Sequence, residues 1–395
     1  MDPFYDRLII RAATIDELLS DDFEVSPAGA GSTELAQRRH SAWCRSAASG
    51  DQALFARRLK RDGLDSTAVL SRLASSRRRS TARTPLWAKD AVWIVAALAE
   101  NPGPSTEPPA SRAEPVAFEH LLAGIVGHSE VLLKSDLGGR AAKSLQASAY
   151  DCLRRALFKD LSDLIAAAVY ERFSAMRRTS ETAGAENSRQ AFQTSIYDKF
   201  IADMKGGGFR RLFEDKPVML RLISTVARQW IDTSREFILR LDADLPVVRE
   251  VLRVGAKGGL KDIEGGFSDP HNGGRSVKIL TFDDGSKIVY KPKDLRIDVA
   301  WQNLIERLNR VRCPTRLMTA NAIARDGYGW TTCIEHSSCA APDEFKEFFR
   351  RVGAWLALFH CLAANDMHQE NLIAAGSHPI PVSYTHLTLP TTERV

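Results

Sequence analysis

The chain is poor in what a disulfide scaffold or a zinc site requires. Its 395 residues hold six cysteines, Cys44, Cys152, Cys313, Cys333, Cys339 and Cys361, with no CxxC and no paired Cys/His spacing. That pattern predicts reduced thiols and excludes a small stapled fold. Long apolar runs are missing too: nowhere do eighteen apolar residues stand together, and a bilayer-spanning helix needs about 20. The opening MDPFYDRLIIRAATIDELLSDD carries acids in and around its short apolar stretch, unlike a secretory signal. A soluble, cytoplasmic protein without a transmembrane segment is the expectation. Neither GxxxxGK[ST] nor GxGxxG occurs, so the P-loop and Rossmann routes are closed. No internal repeat is present.

What is there fits a sizeable globular protein: 44% hydrophobic, 26% charged, net charge +5. The basic residues cluster in RRLKR at 57–61 and RRRSTAR at 77–83. Such runs are most often solvated helix faces, and they also attract acidic partners. Residues 1–100 read as a helical region, with apolar residues at three- and four-residue spacing in ELAQRRHSAWCRSA and DQALFARRLKRDGL. ENPGPSTEPPASRAEP carries five prolines in sixteen residues, which makes 101–116 a linker. Helical patterning returns over 117–250, broken by TSETAGAENSRQ.

The character changes near residue 252. RVGAKGGLKDIEGGFSDPHNGG, with seven glycines in 22 residues, reads as loop throughout. RSVKILTFDDGSKIVYKPK then predicts a β-hairpin, two β-branched and aromatic runs around an Asp-Gly turn. VAWQNLIERLNR predicts a helix and GYGWTTCIEH a strand. A further helix over 343–364 places Phe345, Phe348, Phe349, Val352, Leu356 and Phe359 on one stripe, with Pro342 and acids at its start. The fold class is α+β: a largely helical N-terminal half, then a core of hairpin, helix, strand, helix and turn over 251–382.

That turn, NDMHQENLI, crowds Asp366, His368 and Asn371 between a long apolar helix and an apolar strand-like run. Alone, D-x-H-x-x-N is as well explained by a capped helix end and a turn. Alone, the strand-end Lys291 reads as exposed. Together with the glycine-rich loop, their order is that of ATP-dependent phosphotransferases with kinase-like folds. Phosphoryl transfer needs a cation on the phosphates, a carboxylate to orient the acceptor hydroxyl, and oxygen donors for Mg²⁺. Lys291 suits the first task, Asp366 the second and Asn371 the third. His368 is either a proton carrier or a brace for the loop. Asp269 and His271, followed by Arg275, add a second acid–imidazole pair just before the hairpin.

SDPHNGGRSV, IVYKPKDLRID, DGYGW at 326–330 and FFRRVGAWLALFHCLAANDMHQENLIAAGSHP, with weaker support from Trp230 and FILRLDAD, carry a resemblance. The sequence resembles the dehydratase domain of the class II lanthipeptide synthetases, the LanM family, from about residue 35 to 382. The resemblance implies a catalytic core like that of lipid kinases. It implies ATP and Mg²⁺, phosphorylation of Ser and Thr in a precursor (leader–core) peptide, and elimination of the phosphate to leave dehydroalanine and dehydrobutyrine. Lys291 would contact phosphate, Asp366, His368 and Asn371 would form the catalytic loop with Asn371 on the metal, and Asp269 and His271 would be the family's other acid–imidazole pair. Zinc would belong to a separate cyclase domain. A precursor peptide and association with a membrane exporter are the expected partners; nucleic acid is not.

The resemblance stops at Val382. The family continues with a Mg²⁺-binding aspartate where this chain has Ser383, and a serine cannot supply that charge. SYTHLTLPTTERV, 383–395, reads as foreign sequence of the sequencing-adapter type, so a truncated and inactive dehydratase fragment is expected. Two alternatives stand beside it: a kinase-like phosphotransferase without elimination, and a non-catalytic module whose basic N-terminal helices hold an acidic leader peptide.

Overall fold

In the computed structural model, residues 2–26, 33–100, 118–141, 145–182, 189–255, 258–266, 273–311, 314–365, 367–368, 371–382 and 386–387 are described. The 101–116 linker and most of the 383–395 tail lie outside them. The chain divides into two compact units. Unit 1 comprises Met1–Ser129 and Phe158–Arg228; unit 2 comprises Glu130–Leu157 and Gln229–Val395. Helix and sheet are mixed, as the α+β expectation requires.

The chain opens with helices α1 (Pro3–Arg11) and α2 (Ile15–Leu19), strand β1 (Phe23–Val25), helices α3 (Thr33–Ala48), α4 (Gln52–Arg61) and α5 (Ser66–Ala74), strand β2 (Ser76–Arg78) and helix α6 (Leu86–Ala99). Their starts follow from local chemistry. Asp2 accepts from the Phe4 amide ahead of Pro3, Thr14 and Glu17 form a reciprocal capping box, and Asp51 and Asp65 cap α4 and α5. Each such cap is worth about 1 kcal/mol. Cys44, Ala48, Phe55 and Leu59 close the α3–α4 contact. Helix α6 buries Asp90, which accepts from Trp93 Nε1 at 3.0 Å and from Arg228 Nε at 3.0 Å.

Helices α7 (Glu119–Ala141), α8 (Ala147–Thr182), α9 (Arg189–Asp203), α10 (Phe209–Asp215) and α11 (Pro217–Leu252) follow, with a π-helical turn at Met204–Gly208. In unit 2 come β3 (Leu260–Glu264), β4 (Lys278–Phe282), β5 (Lys287–Lys291), α12 (Arg296–Arg310), β6 (Ala322–Arg325), β7 (Tyr328–Thr332), α13 (Pro342–Cys361), β8 (Ala364–Asn365), β9 (Leu372–Ala375), β10 (His378–Pro381) and β11 (His386–Leu387). The central sheet is antiparallel in the order β3-β4-β5-β7-β6, and β9–β10 and β8–β11 form separate pairs. The expected β4–β5 hairpin is present, turned by Gly285 at φ 81°, where a side chain would be strained.

Two expectations need correction. The glycine-rich stretch is not loop throughout, because Leu260 and Ile263 are buried and carry β3 onto β4 across a bulge. The apolar stripe on α13 splits in two. Trp355 and Phe359 pack on Trp301, Ile305 and Leu317, whereas Phe345, Phe349 and Leu356 are 57%, 61% and 62% exposed. Leu356 follows Trp355 by one residue, a 100° step around the helix, and so leaves the buried face.

Candidate functional site

Lys291 ends β5, and it is not exposed: 7% of its surface reaches solvent. Its Nζ donates to the Val382 carbonyl at 2.5 Å and lies 3.5 Å from Asp298 Oδ1. Asp298 sits in the first turn of α12, on the same helical face as buried Trp301 and Ile305, and is 4% exposed. Its second oxygen, Oδ2, is buried without a hydrogen bond. Burial pulls the Lys291 pKa down against the attraction of Asp298, and burial pushes the Asp298 carboxyl up against the attraction of Lys291. The same desolvation acts on both partners, so the pair is held in place at a cost.

The chain reaches the D-x-H-x-x-N turn through Ala363, a non-glycine residue at φ 49°. Met367 packs on the Trp301–Trp355 cluster and anchors the turn from below. The Asn371 amide N–H donates to the His368 carbonyl at 3.0 Å, and Asn371 Nδ2 lies 3.2 Å from His368 Nε2. Val382 N donates to Asn371 O at 3.0 Å, extending the β9–β10 hairpin by one pair. Two hydrogen bonds therefore lead from Asn371 to Lys291: Val382 N to Asn371 O, and Lys291 Nζ to Val382 O. The fold brings together Lys291, His368 and Asn371, three of the residues singled out in the sequence. Asp366, Asp269, His271 and Ser383 lie outside the described residues.

A second polar group supports the sheet. On α11, Glu236, Arg240 and Asp244 recur at four-residue spacing, and so share one face. Glu236 accepts from Arg275 at 2.6 Å and pairs with Arg240, and Arg240 donates to the Tyr290 hydroxyl at 2.7 Å. Asp244 accepts from Arg325 Nε at 2.8 Å, the Tyr328 hydroxyl at 2.8 Å and Trp330 Nε1 at 2.9 Å. FILRLDAD and DGYGW thus meet on one carboxylate. Between Tyr328 and Trp330, Gly329 stands in register with Lys291, and a Cβ there would come within 2.4 Å of the Ile323 carbonyl.

Sequence reading missed Asp298 and Glu236. Asp298 closes IVYKPKDLRID one residue before the helix predicted from Val299, and its signal was an acid in step with the apolar Trp301 and Ile305. Mg²⁺ is usually held by one or two carboxylates together with substrate phosphates and waters. Among the described residues, no group of three or more His, Cys, Asp or Glu side chains could hold a metal. Among them, too, no helix is long and apolar enough to cross a membrane.

Residues 217–390 match a protein-family model described as a domain of unknown function, DUF4135. A stretch of 168 residues, 40% of this chain, is 24% identical to the Lacticin 481/lactococcin biosynthesis protein LcnDR2 of Lactococcus lactis subsp. lactis. The match covers 17% of that protein's length. These similarities support a family-level relationship to a lantibiotic biosynthesis protein.

Proposed function

We propose that unit 2 carries part of a lipid-kinase-like core that acts in lanthipeptide modification, phosphorylating Ser and Thr of a precursor peptide and then eliminating the phosphate. The observation that carries this reading is the buried Lys291 ammonium, tied through Val382 to the hairpin that bears Asn371. The similarity to a lantibiotic biosynthesis protein supports it further.

In this reading ATP and Mg²⁺ supply the phosphoryl group and the charge that steadies it. Lys291 orients phosphate oxygens while Asp298 and Val382 fix its side chain. Asp366 orients the substrate hydroxyl and receives its proton, and His368 braces Asn371, which would offer an amide oxygen to the metal. In the second step a base from one of the two acid–imidazole pairs, Asp269–His271 or Asp366–His368, takes the Cα proton. The C–H electrons form the alkene as the Cβ–O bond breaks and phosphate departs. A second reading, peptide binding without catalysis, draws on Ser383, which cannot replace the expected acid.

Binding of a fluorescent ATP analogue with Mg²⁺ tests the first reading. Wild type should bind, and Lys291→Met should weaken binding at least ~10-fold, about 1.4 kcal/mol. Lys291→Met/Asp298→Leu, in which neither charge is left buried alone, checks that any loss does not merely reflect unfolding. Equal binding by wild type and Lys291→Met would remove the assignment of Lys291. Mass spectrometry of a Ser/Thr peptide then separates added phosphate from lost water.

A further inference from the structure

Unit 1 contains a pocket of about 650 Å³ at the start of α6. One wall is apolar: Ile9 and Phe23 are buried behind it, and Leu86 stands 74% exposed at its rim. The other wall is basic. Of the four arginines in RRRSTAR, Arg77 and Arg79 pair with Glu24, and Arg78 pairs with Asp6. Arg83 is left, and like Lys89 it lines the pocket exposed and makes no ion pair among the described residues. Glu17, also in the lining, is already engaged: it caps α2 and receives Arg221 through both oxygens. Asp22 is the remaining acid, against two uncommitted cations.

Two further features point to a ligand with acceptor groups. Helix α6 has fourteen residues and begins at Leu86 after Pro85, with no side-chain cap on its first amides, which leaves donors and positive dipole at this end. Trp87 lines the pocket 8% exposed, and its indole Nε1 is buried with no acceptor among the described residues. Such a donor costs about 1–3 kcal/mol until an acceptor reaches it. The pocket also opens at the end of the β1–β2 pair, where register partners Phe23 and Arg78 both line it. A two-stranded sheet leaves outer edges to which an extended chain adds by backbone hydrogen bonds.

We propose that this pocket docks an acidic, partly apolar peptide segment, with a carboxylate received by Arg83, Lys89 and the first amides of α6 and a neighbouring apolar side chain laid on Phe23, Leu86 and Trp87. That the occupant is a peptide rests on the proposed function; the site itself is independent of catalysis.

The test is fluorescence anisotropy on the full chain, without nucleotide, using a fluorescein-labelled peptide of alternating Glu and Leu. Arg83→Glu/Lys89→Glu, both on exposed side chains, should weaken binding at least ~10-fold, and so should replacing every Glu of the peptide by Gln. Trp87→Phe, which keeps the ring and removes the N–H donor, should weaken it about three-fold. Arg57→Glu/Lys60→Glu, in the other basic run, should change it less than ~2-fold. The proposal fails if the Arg83/Lys89 variant binds like wild type, or if the Arg57/Lys60 variant loses as much. It also fails if the Gln peptide binds equally, or if oligouridine or phosphatidylglycerol vesicles displace the peptide at lower concentration than unlabelled peptide does. Because the assay needs neither ATP nor turnover, its failure leaves the phosphotransfer reading standing, and loss of nucleotide binding by Lys291→Met leaves this site standing.

Discussion

Asp244 and Asp298 are buried carboxylates in the same unit, 6% and 4% exposed, and they are treated in opposite ways. Asp244 accepts from an arginine, a tyrosine and a tryptophan; burial raises its pKa, but those donors overcome burial and hold it below the ordinary carboxylate value. Asp298 has one lysine at 3.5 Å and a bare Oδ2, and burial holds its carboxyl above that value. A satisfied buried network rigidifies a fold, whereas an incompletely satisfied one stores cost at a place where something else is expected to bind. Asp244 is therefore scaffold, and the Lys291–Asp298 pair is the incompletely satisfied group that the proposed phosphotransfer would use.

The largest effect should come from breaking the pair one-sidedly. Lys291→Met leaves Asp298 buried without a counter-charge and should destabilise the chain by about 4 kcal/mol in urea unfolding. Adding Asp298→Leu should restore most of that stability, because the charge is gone from both sides. Asp244 admits no such rescue, since three donors depend on it. Asp244→Asn should cost about 3 kcal/mol, and its pH dependence gives the sign. The folded pKa of Asp244 lies below its unfolded value of 3.8, so its contribution is complete above 3.8 and fades as pH falls through the folded pKa. The gap between wild type and Asp244→Asn should hold near neutrality and close in acid. Asp298 runs the other way: carboxyl ¹³C NMR should find it taking its proton above 3.8 while Asp244 stays ionised below.

Much of this arrangement was legible along the chain, and what was not has physical reasons. The β4–β5 hairpin and the strand at DGYGW follow from alternation and Asp-Gly turns, which are local. The α13 helix was legible, but not which face it buries, because that depends on Trp301 arriving from α12. The role of Asp298 was hidden for the same reason: an acid on an apolar helical face is an anomaly until a lysine from another element is seen against it. The meeting of Lys291 with the Asn371 turn depends on Val382 in a later hairpin. Unit 2 likewise joins 130–157 to 229–395, a pairing of distant stretches that local composition does not carry.

Gly329 links the two carboxylates through its neighbours: it is in register with Lys291 and flanked in sequence by two donors to Asp244. Gly329→Ala would drive a methyl into the Ile323 carbonyl at 2.4 Å and Leu295 Cδ1 at 2.6 Å. Backbone on one side cannot give way, so a loss of about 2 kcal/mol is expected by thermal or urea unfolding. Nucleotide binding should fall with it, because β7 fixes β5 and hence Lys291. Unchanged stability would mean that β6 and β7 are spaced more widely than the register implies.

The smallest effect isolates one donor. Tyr328→Phe removes a hydroxyl from Asp244 but leaves Arg325 and Trp330 in place, so about 1–2 kcal/mol should be lost. Its titration is the sharper reading. Burial and the Asp244 hydrogen bond push the Tyr328 pKa up from 10.0 to about 12. A raised folded pKa means that the protonated form is the one folding favours. The contribution is therefore complete below 10 and lost as pH climbs toward 12. Ultraviolet difference titration should lose, in Tyr328→Phe, a tyrosine that in wild type resists ionisation until about 12. In Asp244→Asn the same tyrosine should ionise earlier, since the negative acceptor that opposes phenolate formation is gone. A phenol that ionises near 10 in wild type would put Tyr328 outside the Asp244 network, and the contrast between a satisfied and an unsatisfied carboxylate would then rest on Arg325 and Trp330 alone.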